Sequence, residues 1–160
     1  MTHADIAIPA SIKAEHEEIH AALVTATKAP GRVGEAARSL AAVLHPHFVR
    51  EEEIALPPLA LLAPLARGDS SPDMRAVLPM TDALRAELPR MLEEHVAIHA
   101  ATARLGEIAR EEGNAAVTKL AETLALHASS EEEVFYPAAI LVGELVRRRL
   151  GDSSDGAPKR

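Results

Sequence analysis

A chain of 160 residues, 48% of them hydrophobic, is long enough for one domain with a sizeable core, and that content excludes a disordered protein. Only Phe48, Phe135 and Tyr136 are aromatic, so the apolar volume comes from Ala, Leu, Val and Ile, a palette for close-packed helices that argues against a β-sandwich or barrel. The absence of cysteine excludes disulfides, thiolate metal sites and thiol catalysis, and a net charge of −7 disfavours a nucleic-acid partner despite the small Arg147-Arg148-Arg149 cluster.

Gly and Pro divide the chain into four helical segments. The first runs from about Pro9 to Lys28 and stops at Pro30-Gly31; the second runs from about Gly34 to Leu56 and stops at Pro57-Pro58. A short apolar piece, Leu59 to Ala66, and a polar turn, Arg67 to Pro72, lead to a third segment that ends at Gly113-Asn114. The fourth extends to about Tyr136, and the helical pattern resumes beyond Pro137 as far as Leu150. One domain is expected over 9–150, with a flexible start over 1–8 that includes His3 and a disordered tail over 151–160. The first ten residues lack a signal-peptide pattern and no apolar run reaches about 18 residues, so the expectation is a cytoplasmic protein without a membrane partner.

Steps of three and four residues trace the buried seam of each helix. The seams read Ile12, His16, Ile19, Leu23; then Leu40, Leu44, His47, Glu51, Ile54; then Leu84, Leu88, Met91, His95, Ile98, Thr102, Leu105; then Val117, Leu120, Leu124, His127, Glu131, Val134. Each apolar seam is interrupted by a His, or by a His with a Glu four residues on. The interruptions also repeat: the stretch around His16 and His20 recurs around His95 and His99, offset by 79, and His47 to Pro57 recurs as His127 to Pro137, offset by 80. Such duplication predicts an antiparallel up-down four-helix bundle with a pseudo-two-fold internal repeat, all α, its halves facing each other across the histidines.

Two buried carboxylates facing each other are costly unless paired or bound to metal, and no Lys or Arg stands in the seams. Four imidazoles with two carboxylates instead form a natural set for two divalent cations, each Glu bridging and each cation keeping open positions. Iron suits mixed imidazole and carboxylate ligation best, ahead of zinc or manganese; calcium and magnesium are disfavoured by the histidines. The site would remain cationic and accept an oxo or hydroxo bridge, which is oxygen or redox chemistry.

His16, His47-x-x-x-Glu51, His95 and His127-x-x-x-Glu131 resemble the H-HxxxE-H-HxxxE signature of the hemerythrin-like (HHE cation-binding) family. The resemblance implies a four-helix bundle around a non-haem di-iron centre that handles dioxygen, peroxide or nitric oxide, or serves iron homeostasis. Carried over, His16 and His47 hold one iron, His95 and His127 the other, and Glu51 and Glu131 bridge. The pattern departs from hemerythrin proper, because the first and third helices both carry HxxxH and the fourth has its Glu at +4, with Glu132 available at +5.

His20 and His99 lie one step off the seams and either complete the coordination, carry protons from behind it or face solvent. His45 faces away, Glu52, Glu53, Glu132 and Glu133 read as a solvated acidic face before ligands or an iron entry path, and Pro46 and Pro89 invite kinks. Tyr136, nine residues after His127, reads first as packing near a helix end, with a radical or ligand role as the alternative, although direct ligation would require the helix to break first. Three roles stay open: a small-ligand binder or sensor, a catalase-like peroxide-consuming enzyme, and a metal store or structural metal bundle.

Overall fold

The computed structural model describes residues 6–152. The expected flexible ends therefore fall mainly outside the described residues, and His3 lies wholly outside them. Four long helices form the expected bundle, with no strand among the described residues: α1 (Ala10–Thr27), α2 (Gly31–Ile54), α4 (Leu78–Glu111) and α5 (Ala115–Ser130). The short α3 (Leu62–Ala66) lies between 3-10 turns at Pro57–Leu61 and Pro72–Val77, and α6 (Tyr136–Leu150) continues from α5. Around the bundle α1 packs on α2 and α5, and α4 packs on α2, α5 and α6. No helix among the described residues is long and apolar enough to cross a membrane.

The turn from α4 to α5 shows how local chemistry sets the topology. Gly113, at φ +69°, takes the left-handed conformation that ends α4, and the Gly113 and Asn114 amides donate back to the Arg110 and Ala109 carbonyls. Asn114 then caps α5, its side chain accepting from the Val117 amide at 3.1 Å. Pro46 and Pro89 sit inside continuous helices and end neither.

Pro137 does not end a helix either, contrary to the expectation of a stop there. Residues Glu131–Phe135 form a π turn in which the Tyr136 amide donates to the Glu131 carbonyl, five residues back, and helical conformation continues from Ala115 to Leu150. Pro137 thus meets a local ladder already shifted by one residue, where its missing N–H is tolerated. The extra residue also rotates everything beyond Glu131. Val134, expected on the seam, is 56% exposed, whereas Tyr136 is fully buried.

The apolar core divides along the bundle axis. One layer holds Ile19, Leu23, Leu44, Ile98 and Leu124, a second holds Ile54, Leu56, Leu84, Met91 and Tyr136, and a third, smaller cluster holds Leu65, Met74, Val77, Leu78, Val142 and Val146. On every long helix the seam passes from one layer to the other through a His, with Glu51 or Glu131 beside it on α2 and α5.

Next to the third cluster α6 lies closely against α4. A Cβ on Gly143 would stand 2.1 Å from Thr81 Oγ1, and Thr81 is itself buried. Gly143→Ala should therefore cost about 1–3 kcal/mol through overpacking. Urea unfolding checks this, and an unchanged midpoint would show that the α4–α6 contact has slack.

A buried histidine and glutamate layer

Six ionisable side chains meet between the two apolar layers. His16, His47, His95, His127, Glu51 and Glu131 are each no more than 2% exposed. The histidines pair across the bundle: His16 Nε2 stands 2.9 Å from His127 Nε2, and His47 Nε2 stands 2.8 Å from His95 Nε2. This differs from the pairing implied by the family resemblance, His16 with His47 and His95 with His127. The structure couples α1 to α5 and α2 to α4, because those are the neighbours whose His side chains come level across the bundle.

Each carboxylate spans both pairs. Glu131 Oε1 lies 2.7 Å from His127 Nε2 and 3.4 Å from His16 Nε2, while its Oε2 lies 3.4 Å from His95 Nε2. Glu51 Oε1 lies 3.1 Å from His47 Nε2, and its Oε2 lies 3.9 Å from His16 Nε2. Single ligand atoms from His47, Glu51, His95 and Glu131 lie within 4.8 Å of one another, as do those from His16, His127 and Glu131 and, at the edge of the layer, those from His95, His99 and Glu132.

A ring of carboxylates outside the layer aims the imidazoles inward. His47 Nδ1 donates to Glu94 at 2.7 Å, His95 Nδ1 to Glu132 at 2.7 Å, His127 Nδ1 to Glu15 at 2.8 Å and His16 Nδ1 to Glu52 at 3.3 Å. A carboxylate only accepts, so each contact draws the ring proton to Nδ1 and leaves the Nε2 lone pair facing the centre. Two such lone pairs at 2.8 or 2.9 Å repel unless a proton or a cation lies between them. A cation held between them would remove that repulsion, and neutral imidazole nitrogens are suitable ligands for one.

The carboxylates' demand for positive charge also moves the imidazole pKa values. Burial pushes the His95 imidazole down, but Glu131, Glu51 and Glu132 outweigh it and raise the group to about 10. His127 is likewise lowered by burial and raised, chiefly by Glu131 and then Glu15, to about 9. Burial pushes the Glu131 carboxyl up, yet hydrogen bonds from His127, His16 and His95 hold it well below its usual range. In the metal-free protein, protons supply the positive charge that the carboxylates require. Glu51 Oε2 is left buried with no hydrogen-bond partner among the described residues.

Tyr136 enters the layer through the π turn, so the reading of it as helix-end packing is corrected. Its hydroxyl donates to Glu51 Oε1 and lies 3.0 Å from His95 Nε2 and 3.2 Å from His47 Nε2. Burial, then the Glu51 and Glu131 charges, raise its pKa and keep it a phenol. The signal available in the sequence was Pro137, six residues beyond Glu131, which marks a disturbed ladder; straight 3.6-residue extrapolation passes over it.

The other candidates lie further out. His99 is partly exposed and bonds Glu132 at 2.9 Å, behind His95 rather than within the layer. His20 is exposed, and its ring lies 6.3 Å from that of His45. Glu132, the alternative carboxylate at +5, is held outside by His95 and His99, which together keep its pKa low against the effect of burial.

The family profile described as hemerythrin HHE cation binding domain matches residues 7–139. No curated protein and no solved structure matches the chain.

The raised His95 and His127 values set the pH dependence of the metal-free bundle. A folded-state pKa above the unfolded value of 6.5 contributes stability that is complete below 6.5 and lost as pH rises through about 9 to 10. With a chelator present, the melting temperature should fall between pH 6.5 and pH 10; metal loading, which needs unprotonated Nε2, should weaken in the opposite direction, towards acid. Thermal unfolding by circular dichroism tests this, and a flat chelated profile would contradict the His–carboxylate pairing.

Proposed function

Because the chain belongs to the hemerythrin HHE cation-binding domain family, we propose that its buried layer holds a pair of iron ions and uses them on a small oxygen or nitrogen species, namely dioxygen, peroxide or nitric oxide. The observation that carries this reading is the Glu51 carboxylate: Oε1 accepts from Tyr136, while Oε2 is buried 3.9 Å from His16 Nε2 with no hydrogen-bond partner among the described residues. An orphaned carboxylate oxygen in an apolar interior is costly, and a cation there removes the cost. His16, His127 and Glu131 would hold one ion, and His47, His95 and Glu51 the other, with both carboxylates reaching across. Iron fits two imidazoles per ion with shared carboxylates and no thiolate, and it supplies redox change and open positions to a small ligand.

The chain's own residues prepare that chemistry. Glu15, Glu52, Glu94 and Glu132 fix the four imidazoles by their Nδ1 protons, and the Phe48 ring stacks on His16 at 4.2 Å between centroids. Apolar layers above and below keep bulk water from the cluster.

Tyr136 favours a second reading, peroxide consumption in a catalase-like cycle. It holds a proton in the buried layer, in contact with Glu51, His47 and His95, where it can donate to a bound small molecule. A storage role makes no use of such a group.

Elemental analysis of iron-loaded protein should give about two irons per chain. Glu51→Ala or Glu131→Ala should lower this to about one or fewer, and wild-type protein below about one iron would sink the di-iron reading. For the peroxide reading, oxygen release measured at an electrode should fall about 100-fold in Tyr136→Phe at unchanged iron content. Negligible release by wild type would leave the binding role in its place.

A further inference from the structure

Duplication makes each half of this chain a control for the other, and the halves differ at His20. Its counterpart, His99, is bonded to Glu132 at 2.9 Å, and Glu132 also accepts from His95 at 2.7 Å. In the first half the equivalent carboxylate, Glu52, is bonded to His16 at 3.3 Å, the longest of the four Nδ1 contacts, and its side chain is 48% exposed against 33% for Glu132. His20 instead faces His45 of α2, with ring centroids 6.3 Å apart.

These two imidazoles line a cleft of about 290 Å³ between α1 and α2, together with Lys13, Glu17 and Glu52, and His16 of the buried layer lies in its wall. Two carboxylates against one ammonium make the cleft attractive to cations. A metal–imidazole bond of about 2.1 Å puts each ring centroid about 3 Å from the ion, so two rings on one ion stand about 5–6 Å apart. A small rotation of exposed side chains brings His20 and His45 to that separation.

We propose that this cleft is an outer site for one divalent transition-metal cation, held by the His20 and His45 imidazoles in the field of Glu17 and Glu52, from which the buried layer is loaded. Glu52 joins the two positions, since its carboxylate borders the cleft and accepts from His16. In the other half His99 bonds Glu132 beside His95, a trio whose ligand atoms lie within 4.8 Å of one another, so its surroundings differ from those of His20. Occupancy of the outer site stands on its own geometry, while the loading step rests on the buried layer being a metal centre.

Two measurements on the full chain, wild type and His20→Gln/His45→Gln, separate these claims. Nickel titrated calorimetrically into iron-loaded protein should bind to about one further equivalent in wild type, and with about tenfold lower affinity in the double variant. Anaerobic stopped-flow uptake of iron(II) by metal-free protein should slow about tenfold in the variant and reach the same final iron content. Equal nickel affinity in the two proteins overturns the outer site; equal uptake rates, or a lower final iron content in the variant, overturn its role in loading. Wild-type protein that binds nickel at the cleft but takes up no iron overturns the buried-layer reading and the loading step together, leaving the outer site standing. Matching far-ultraviolet circular dichroism shows that the variant folds, as expected for two exposed positions.

Discussion

Two carboxylates and four imidazoles, buried between apolar layers with no Lys or Arg among them, set the terms for the rest of this protein. Such groups leave water only if their charges are answered. The answer has two parts, an inner one supplied by protons or metal and an outer one supplied by Glu15, Glu52, Glu94 and Glu132 at the rim. The outer carboxylates orient each ring, and the inner charge relieves lone pairs less than 3 Å apart. Neither part suffices alone, because an oriented ring without a central cation faces its partner in repulsion.

Internal duplication explains how a small chain builds this arrangement. The offset of about 80 residues repeats both the ligand spacing and the latch: Glu94 on His47 mirrors Glu15 on His127, and Glu132 on His95 mirrors Glu52 on His16. The backbone repeats too, since the Glu51 carbonyl accepts from the Leu56 amide, five residues on, as the Glu131 carbonyl does from Tyr136. At these matched positions the side chains diverge. Leu56 fills apolar space, whereas Tyr136 brings a phenol to the cluster, so the two halves hold similar ligands in unequal surroundings.

Much of this was legible in the sequence because helical periodicity is local. The seam interruptions at His16, His47, Glu51, His95, His127 and Glu131 follow from counting threes and fours, and all six are buried together. Counting failed at Val134 and Tyr136, where one inserted residue turned the helix face. It also left His20 and His99 alike, because their neighbours in sequence are alike. Only the different surroundings of Glu52 and Glu132 separate them.

By itself the sequence determined the four-helix architecture, the duplication and the set of polar residues drawn inward, all of which depend on spacing within a helix or on matching between two stretches. Tertiary structure decided which histidine faces which, that Tyr136 joins them and that His20 does not. Those outcomes depend on the order of helices around the bundle and on a single shifted backbone hydrogen bond, quantities that no spacing within one helix contains.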